Sequence, residues 1–143
     1  MGYKGDKKDM VENEINKIVE RCKALGAEYK SIFFEPANEE ELSQWESNNG
    51  IRIPESYKEW LRFSNGAVVR EQLAHFYGIE GFEVDNPDYP EDCVIIGDLI
   101  GDGERLAFSK ITGNILRINH GRVREYNDFA SFLHRMVIRM LRE

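Results

Sequence analysis

Gly50–Gly66, GIRIPESYKEWLRFSNG, carries three instructions in sequence. Ile51 and Ile53 flank Arg52, so an extended link can turn both isoleucines inward. Pro54 suits the first position of a helix, where its missing N–H would have had no partner. Tyr57, Trp60 and Leu61 then fall at i, i+3 and i+4, one apolar face, while Lys58, Glu59 and Arg62 lie elsewhere. Asn65-Gly66 offers the left-handed residue that closes such a helix. Nothing here is a catalytic group. Tyr57, Trp60 and Leu61 read as core anchors, and Pro54 and Gly66 as backbone punctuation. The stretch is a corner that braces a fold.

The residues upstream are helical. Asn38 can cap a second helix, and Glu41 three residues on can complete a capping box. Leu42 and Trp45 supply its buried side, and Asn48-Asn49-Gly50 ends it. Earlier still, Val11, Ile15, Ile18, Val19, Cys22 and Leu25 recur at helical steps, which predicts a first helix over Lys7–Leu25 stopped by Gly26. Tyr29–Phe34 is a short apolar stretch of no decided type, ended by Pro36.

Downstream the period changes. Ala67–Val69, Ala74–Ile79 and Phe82–Val84 read as short strands or loop edges. Asp85–Asp92, DNPDYPED, is a turn-rich loop. Cys93–Leu99, Arg105–Phe108, Ile115–Ile118 and Val123–Tyr126 read as strands, broken at Gly101-Asp102-Gly103, Thr112-Gly113-Asn114 and Asn119-His120-Gly121. Turns at that spacing predict an antiparallel meander. Asn127 or Asp128 caps a last helix, with Phe129, Phe132, Leu133, Met136, Val137, Met140 and Leu141 on one stripe. The plan is α+β: a curved antiparallel sheet flanked by N-terminal helices and a C-terminal helix, in one domain over residues 1–143.

Composition narrows the function. The net charge is −7, which argues against nucleic acid as a partner. Ten acidic residues lie between Glu71 and Glu104, with no lysine or arginine among them. The rest of the chain holds 16 acids against 19 bases, so an anionic segment is set in a near-neutral scaffold. Cys22 and Cys93 are far apart and read as reduced thiols of a cytoplasmic protein. No apolar run could cross a membrane, and the polar start lacks a signal core.

The order Glu41-Leu42, Trp45-Glu46, Gly50-Ile51, Ile53-Pro54, Tyr57, Trp60-Leu61, Asn65-Gly66 resembles the N-terminal signature of the SUKH superfamily. Ile53 stands where leucine is commoner. Ile95-Ile96-Gly97-Asp98 with Gly101-Asp102-Gly103-Glu104 resembles a strand and turn of that family. Gly113–Tyr126 resembles its final hairpin, and Phe129–Leu133 its closing helix. The likeness runs over about 37–141 and is preceded by the N-terminal helix. It implies a non-enzymatic protein-binding module. Members include fungal cell-wall glucan-synthesis regulators and bacterial proteins that neutralise toxins, many of them nucleases.

Taken with that resemblance, the anionic segment predicts an intracellular bacterial immunity protein whose acidic surface covers the cleft of a basic toxin domain. Nucleases have basic clefts because their substrate is a polyanion. The expected partner-binding residues are Glu83, Asp85, Asp88, Glu91, Asp92, Asp98, Asp102 and Glu104, with Tyr77 and Tyr89 as aromatic anchors. A solvated loop that merely keeps the protein soluble is the competing reading. A regulatory scaffold related to the glucan-synthesis regulators is the alternative function, and a small hydrolase the third.

Neither metal nor cofactor is expected. The acidic segment does not fit the register of a calcium loop, and His75, His120 and His134 lie apart from any cysteine at zinc spacing. There is no nucleophile elbow, P-loop or dinucleotide fingerprint. Two carboxylates could in principle hydrolyse a glycoside, but a sequence does not show their separation.

Overall fold

A computed structural model describes residues 3–25, 31–69, 74–99, 103–119 and 121–142. The elements run α1 (Tyr3–Leu25), β1 (Ile32–Phe33), α2 (Glu39–Asn49), α3 (Glu55–Phe63), β2 (Ala67–Val69), β3 (Ala74–Phe76), β4 (Cys93–Leu99), β5 (Glu104–Ser109), β6 (Ile115–Asn119), β7 (Arg122–Tyr126) and α4 (Phe129–Arg142). A 3₁₀ turn at Ile79–Gly81 lies between β3 and β4. The strands form one antiparallel sheet in the order of the chain, β1 to β7, curved and unclosed. This is the expected α+β meander.

The corner forms as its residues dictate. Asn38 accepts from the Glu41 amide at 2.8 Å, and Glu41 Oε1 accepts from the Asn38 amide at 3.0 Å. Gly50 closes α2 at φ +63°. Ile53 is buried and donates its N–H to Glu46 Oε2, which also meets Lys58 at 3.1 Å. Arg62 binds Glu39, Glu55 and Glu59, clamping α3 to the start of α2. Those hydrogen bonds, Glu39's first, raise the Arg62 pKa above its usual value.

The apolar face of α3 enters the core as predicted. Tyr57, Trp60 and Leu61 are fully buried. Around them stand Phe76 from β3 and Phe129 from α4, with ring centroids 5.0 and 5.6 Å from Trp60. Edge-to-face rings at such spacing add to what their buried area contributes. α1 packs on α3 and α4 through Val11, Ile15 and Ile18. The described helices thus cover one side of the sheet, and none of them lies on the other.

Three local readings change. α1 begins four residues earlier than the apolar stripe suggested. Tyr29–Phe34 contributes β1, an edge strand of two residues paired to β2; residues 26–30, with the Gly26 stop, lie outside the described residues. α3 does not end on a left-handed residue: its cap is Ser64 at φ −153°, held by its N–H to the Trp60 carbonyl. Gly66 has the positive φ, +100°, but uses it in the turn into β2, where a Cβ would meet the Gly78 backbone nitrogen at 3.0 Å.

Candidate functional site

β3, β4 and β5 present alternate side chains to the two sides of the sheet. Phe76, Val94, Ile96, Leu106 and Phe108 join the helix-covered core, whereas Cys93, Ile95, Ala107, Leu116 and Ile118 form a second cluster on the other side. No described helix covers that cluster. The segment after β3 does, with Tyr77 and Tyr89 packed against it.

The loop is fixed in several places. Tyr77 donates its amide to the Ile96 carbonyl, and its own carbonyl accepts from the buried Tyr57 hydroxyl at 3.0 Å. Glu83 and Ile95 exchange both backbone hydrogen bonds at 3.0 Å, a bridge that lays residue 83 along β4. Asn86 Nδ2 donates to Glu83 Oε1, and Asn86 Oδ1 accepts from the Asp88 amide. The Lys110 amide donates to the Asp92 carbonyl at 2.7 Å, pinning the far end to the β5–β6 turn.

Arg105 holds the arrangement together. It stands opposite Asp98 in the β4–β5 register, with Nε 2.6 Å from Asp98 Oδ1. Its other nitrogens donate to Glu83 Oε2 at 2.9 Å, the Tyr77 hydroxyl at 3.1 Å and the Tyr89 hydroxyl at 3.4 Å. The guanidinium also lies 5.4 Å from the Tyr89 ring centroid, a cation–π distance. Tyr77 in turn donates to Asp98 Oδ2 at 2.6 Å. Burial, reinforced by the Asp98 carboxylate, pushes the Tyr77 pKa up to about 12. The Asn86 amide first, and then Arg105, hold the Glu83 carboxyl below its usual value. Burial alone would lower the Arg105 pKa; its hydrogen bonds to Glu83 and Tyr89 overcome this and raise it.

The expected site residues therefore fall into three groups. Tyr77, Glu83, Tyr89 and Asp98 converge on Arg105. Asp85, Asp88, Glu91 and Asp92 are exposed on the loop and make no ion pair among the described residues. Glu104 is buried and points to the opposite side from Arg105, where it meets Arg117 at 2.6 Å. Asp102 lies outside the described residues. Of the aromatics in the segment, Phe76 belongs to the core and Phe82 packs on Trp45 at 5.3 Å and Tyr57 at 5.9 Å.

The residue that sequence reasoning missed is Arg105. A turn centred on Gly101-Asp102 counts out to Asp98 opposite Arg105, and that count was the available signal.

The corner, the meander and the closing helix now stand in the order that a family signature would require. The sequence model of the SMI1 / KNR4 family (SUKH-1) matches residues 36–135. This chain belongs to that family. The matched region of this SUKH-1 chain spans α2 through the first half of α4, so the corner, the loop and Arg105 all fall inside it, and α1 and β1 fall outside. No curated protein matches the chain.

The arrangement offers little chemistry and a good deal of surface. Among the described residues no three His, Cys, Asp or Glu side chains gather as a metal group. No described helix is long and apolar enough to cross a membrane. Burial, with the Asp92 charge behind it, raises the Cys93 pKa, the wrong direction for a reactive thiolate.

Proposed function

We propose that this SUKH-1 chain is a non-enzymatic protein-binding module that acts in the bacterial cytoplasm as an immunity protein, with the loop Asp85–Asp92 covering the active cleft of a basic toxin domain. One observation carries the reading. Four exposed carboxylates, Asp85, Asp88, Glu91 and Asp92, pair with no cation among the described residues, while the loop that bears them is tied to the sheet through Glu83, Tyr89 and Asp92.

A charged loop that merely solubilised the chain would need no such fixing. A loop that docks gains from it, because a segment already ordered loses less entropy on binding. Uncompensated negative charge also draws a cationic partner from a distance and speeds encounter. Family membership supports a protein partner in general, since SUKH proteins are protein-interaction modules. A nuclease is the toxin class that fits best, its cleft being shaped for a polyanion.

Glu83, Asp98 and Glu104 enter this reading differently from the other acids. Their charge is already met by Arg105 and Arg117. Glu83 and Asp98, with Tyr77 and Tyr89, position the loop, and a partner reaches the exposed acids first.

The test is co-expression with the protein encoded beside this one. The chain should restore growth to cells carrying that toxin domain. A chain with Asp85→Asn, Asp88→Asn, Glu91→Gln and Asp92→Asn should restore it poorly. Full rescue by the neutralised chain contradicts the acidic loop. A neighbour without toxicity contradicts immunity and leaves the regulatory scaffold.

A further inference from the structure

The helix-free side carries a second feature that the acidic residues do not explain. Phe33 turns into the core, its ring 5.2 Å from Phe63 and 6.5 Å from Trp60. Its neighbours Ile32 and Phe34 therefore face the other way, and they are 52% and 49% exposed. Edge strands ordinarily carry charge at such positions to discourage pairing with other chains. This edge carries two large apolar side chains instead.

The register extends them into a surface. Ile32 lies opposite Val68, Val68 opposite His75, and His75 opposite Asp98. The His75 and Tyr77 rings meet edge to face at 5.1 Å. Phe34 lies beside Gly66, whose missing side chain leaves the ring against backbone. Tyr77 then connects this apolar strip to Arg105, and Arg105 to Tyr89 of the acidic loop. The strip and the loop share one helix-free face, with the Arg105 cluster between them.

We infer that Ile32, Phe34, Val68, His75 and Tyr77 form the apolar half of one docking surface, whose occupant is a basic protein segment that lays an aliphatic or aromatic side chain on this strip. The inference rests on the protein-binding reading above and names the chemistry of the partner. Charge decides the occupant. The loop offers Asp85, Asp88, Glu91 and Asp92 and no cation of its own, so a segment bearing lysine or arginine matches it. A second copy of this chain, at net charge −7, would bring two such loops toward each other. An apolar anchor within a charged rim is the usual anatomy of a protein interface.

Selection of a displayed library of random peptides on the full chain tests this. The expected winners place Leu, Ile, Phe or Trp among lysines and arginines. Synthesised winners should bind an Ile32→Ser/Phe34→Ser chain roughly tenfold or more weakly, the scale of losing an interface anchor. Amide-shift mapping of the unsubstituted protein with the same peptide asks the question without any variant, and should move Phe34, Val68, His75 and Tyr77. Basic winners with no apolar consensus, equal affinity for the variant, or shifts confined to residues 85–92 overturn the apolar half and leave the acidic loop standing. Winners without basic residues, or no winners, overturn both. Self-association abolished by Ile32→Ser/Phe34→Ser assigns the strip to a second copy and overturns the inference as well.

Discussion

Arg105 reaches both Asp98, its partner across the β4–β5 hairpin at 2.6 Å, and Glu83 of the loop at 2.9 Å. One side chain from the sheet therefore anchors the segment proposed to meet the partner. Replacing it by Met keeps much of the stem but removes the cation from Glu83 and Asp98 and a donor from the Tyr77 and Tyr89 hydroxyls, leaving Glu83 only Asn86 and Asp98 only Tyr77 among the described residues. Arg105→Met should destabilise the fold by about 1–3 kcal/mol, the range for hydrogen bonds to charged groups, with both acids partly solvated. Hydrogen exchange should speed up at amides 83–89 more than in β5 and β6. Unchanged loop protection would show that Arg105 does not hold it.

Glu83 gives this anchor a pH dependence. Its carboxyl titrates below the ordinary value of 4.5 in the folded chain, because of Asn86 first and Arg105 second. A group with a depressed folded pKa stabilises above its unfolded pKa, and that contribution is lost as pH falls through the folded value. Glu83→Gln should therefore be less stable than the parent at neutral pH. The gap should close as pH drops below 4.5. Urea titrations of both chains down to about pH 3 measure it; a gap that stays constant would contradict the pairing.

Gly97 lies opposite Phe76 in the β3–β4 register. A Cβ there would lie 2.5 Å from the His75 carbonyl oxygen, a backbone atom that cannot swing away. Gly97→Ala should cost about 1–3 kcal/mol, as overpacking does. It should also disturb the neighbouring Asp98–Arg105 pair, visible as shifts of the Arg105 side-chain resonances. A neutral substitution would mean the strands separate freely.

The Tyr57 hydroxyl joins the helical corner to the candidate site through the Tyr77 carbonyl at 3.0 Å. Tyr57→Phe keeps the buried ring and removes that bond. Stability should fall by about 1 kcal/mol, the usual net value of one hydrogen bond. Thermal unfolding checks it, and no change would show that water replaces the hydroxyl.

Much of the fold was legible because it rests on short-range chemistry. Asn38 and Glu41 stand at capping-box spacing, Tyr57, Trp60 and Leu61 at helical spacing, and Gly103, Gly113 and Gly121 at turns that need positive φ. β1 escaped because two residues carry no period; only pairing with β2 makes Ile32–Phe33 a strand. Gly66 was misread because Asn-Gly suits a helix end and a strand-opening turn alike, and the approach of Gly78 selects the turn.

The site was legible only as composition. A count of charges finds the anionic segment but not which acids keep their charge free. That depends on register: Asp98 shares a side with Arg105, while Glu104, one residue earlier, faces Arg117 across the sheet. Long-range pairing also separates Phe76, taken by the core, from Tyr77, left beside the loop.

Titrating the toxin domain encoded beside this chain against it over a range of ionic strength weighs the acidic loop most directly. The parent should bind tightly at low salt and weaken steeply as salt rises, because exposed charges are screened. The chain with Asp85→Asn, Asp88→Asn, Glu91→Gln and Asp92→Asn should bind more weakly at low salt and respond little to it. Two superimposable curves would contradict the account.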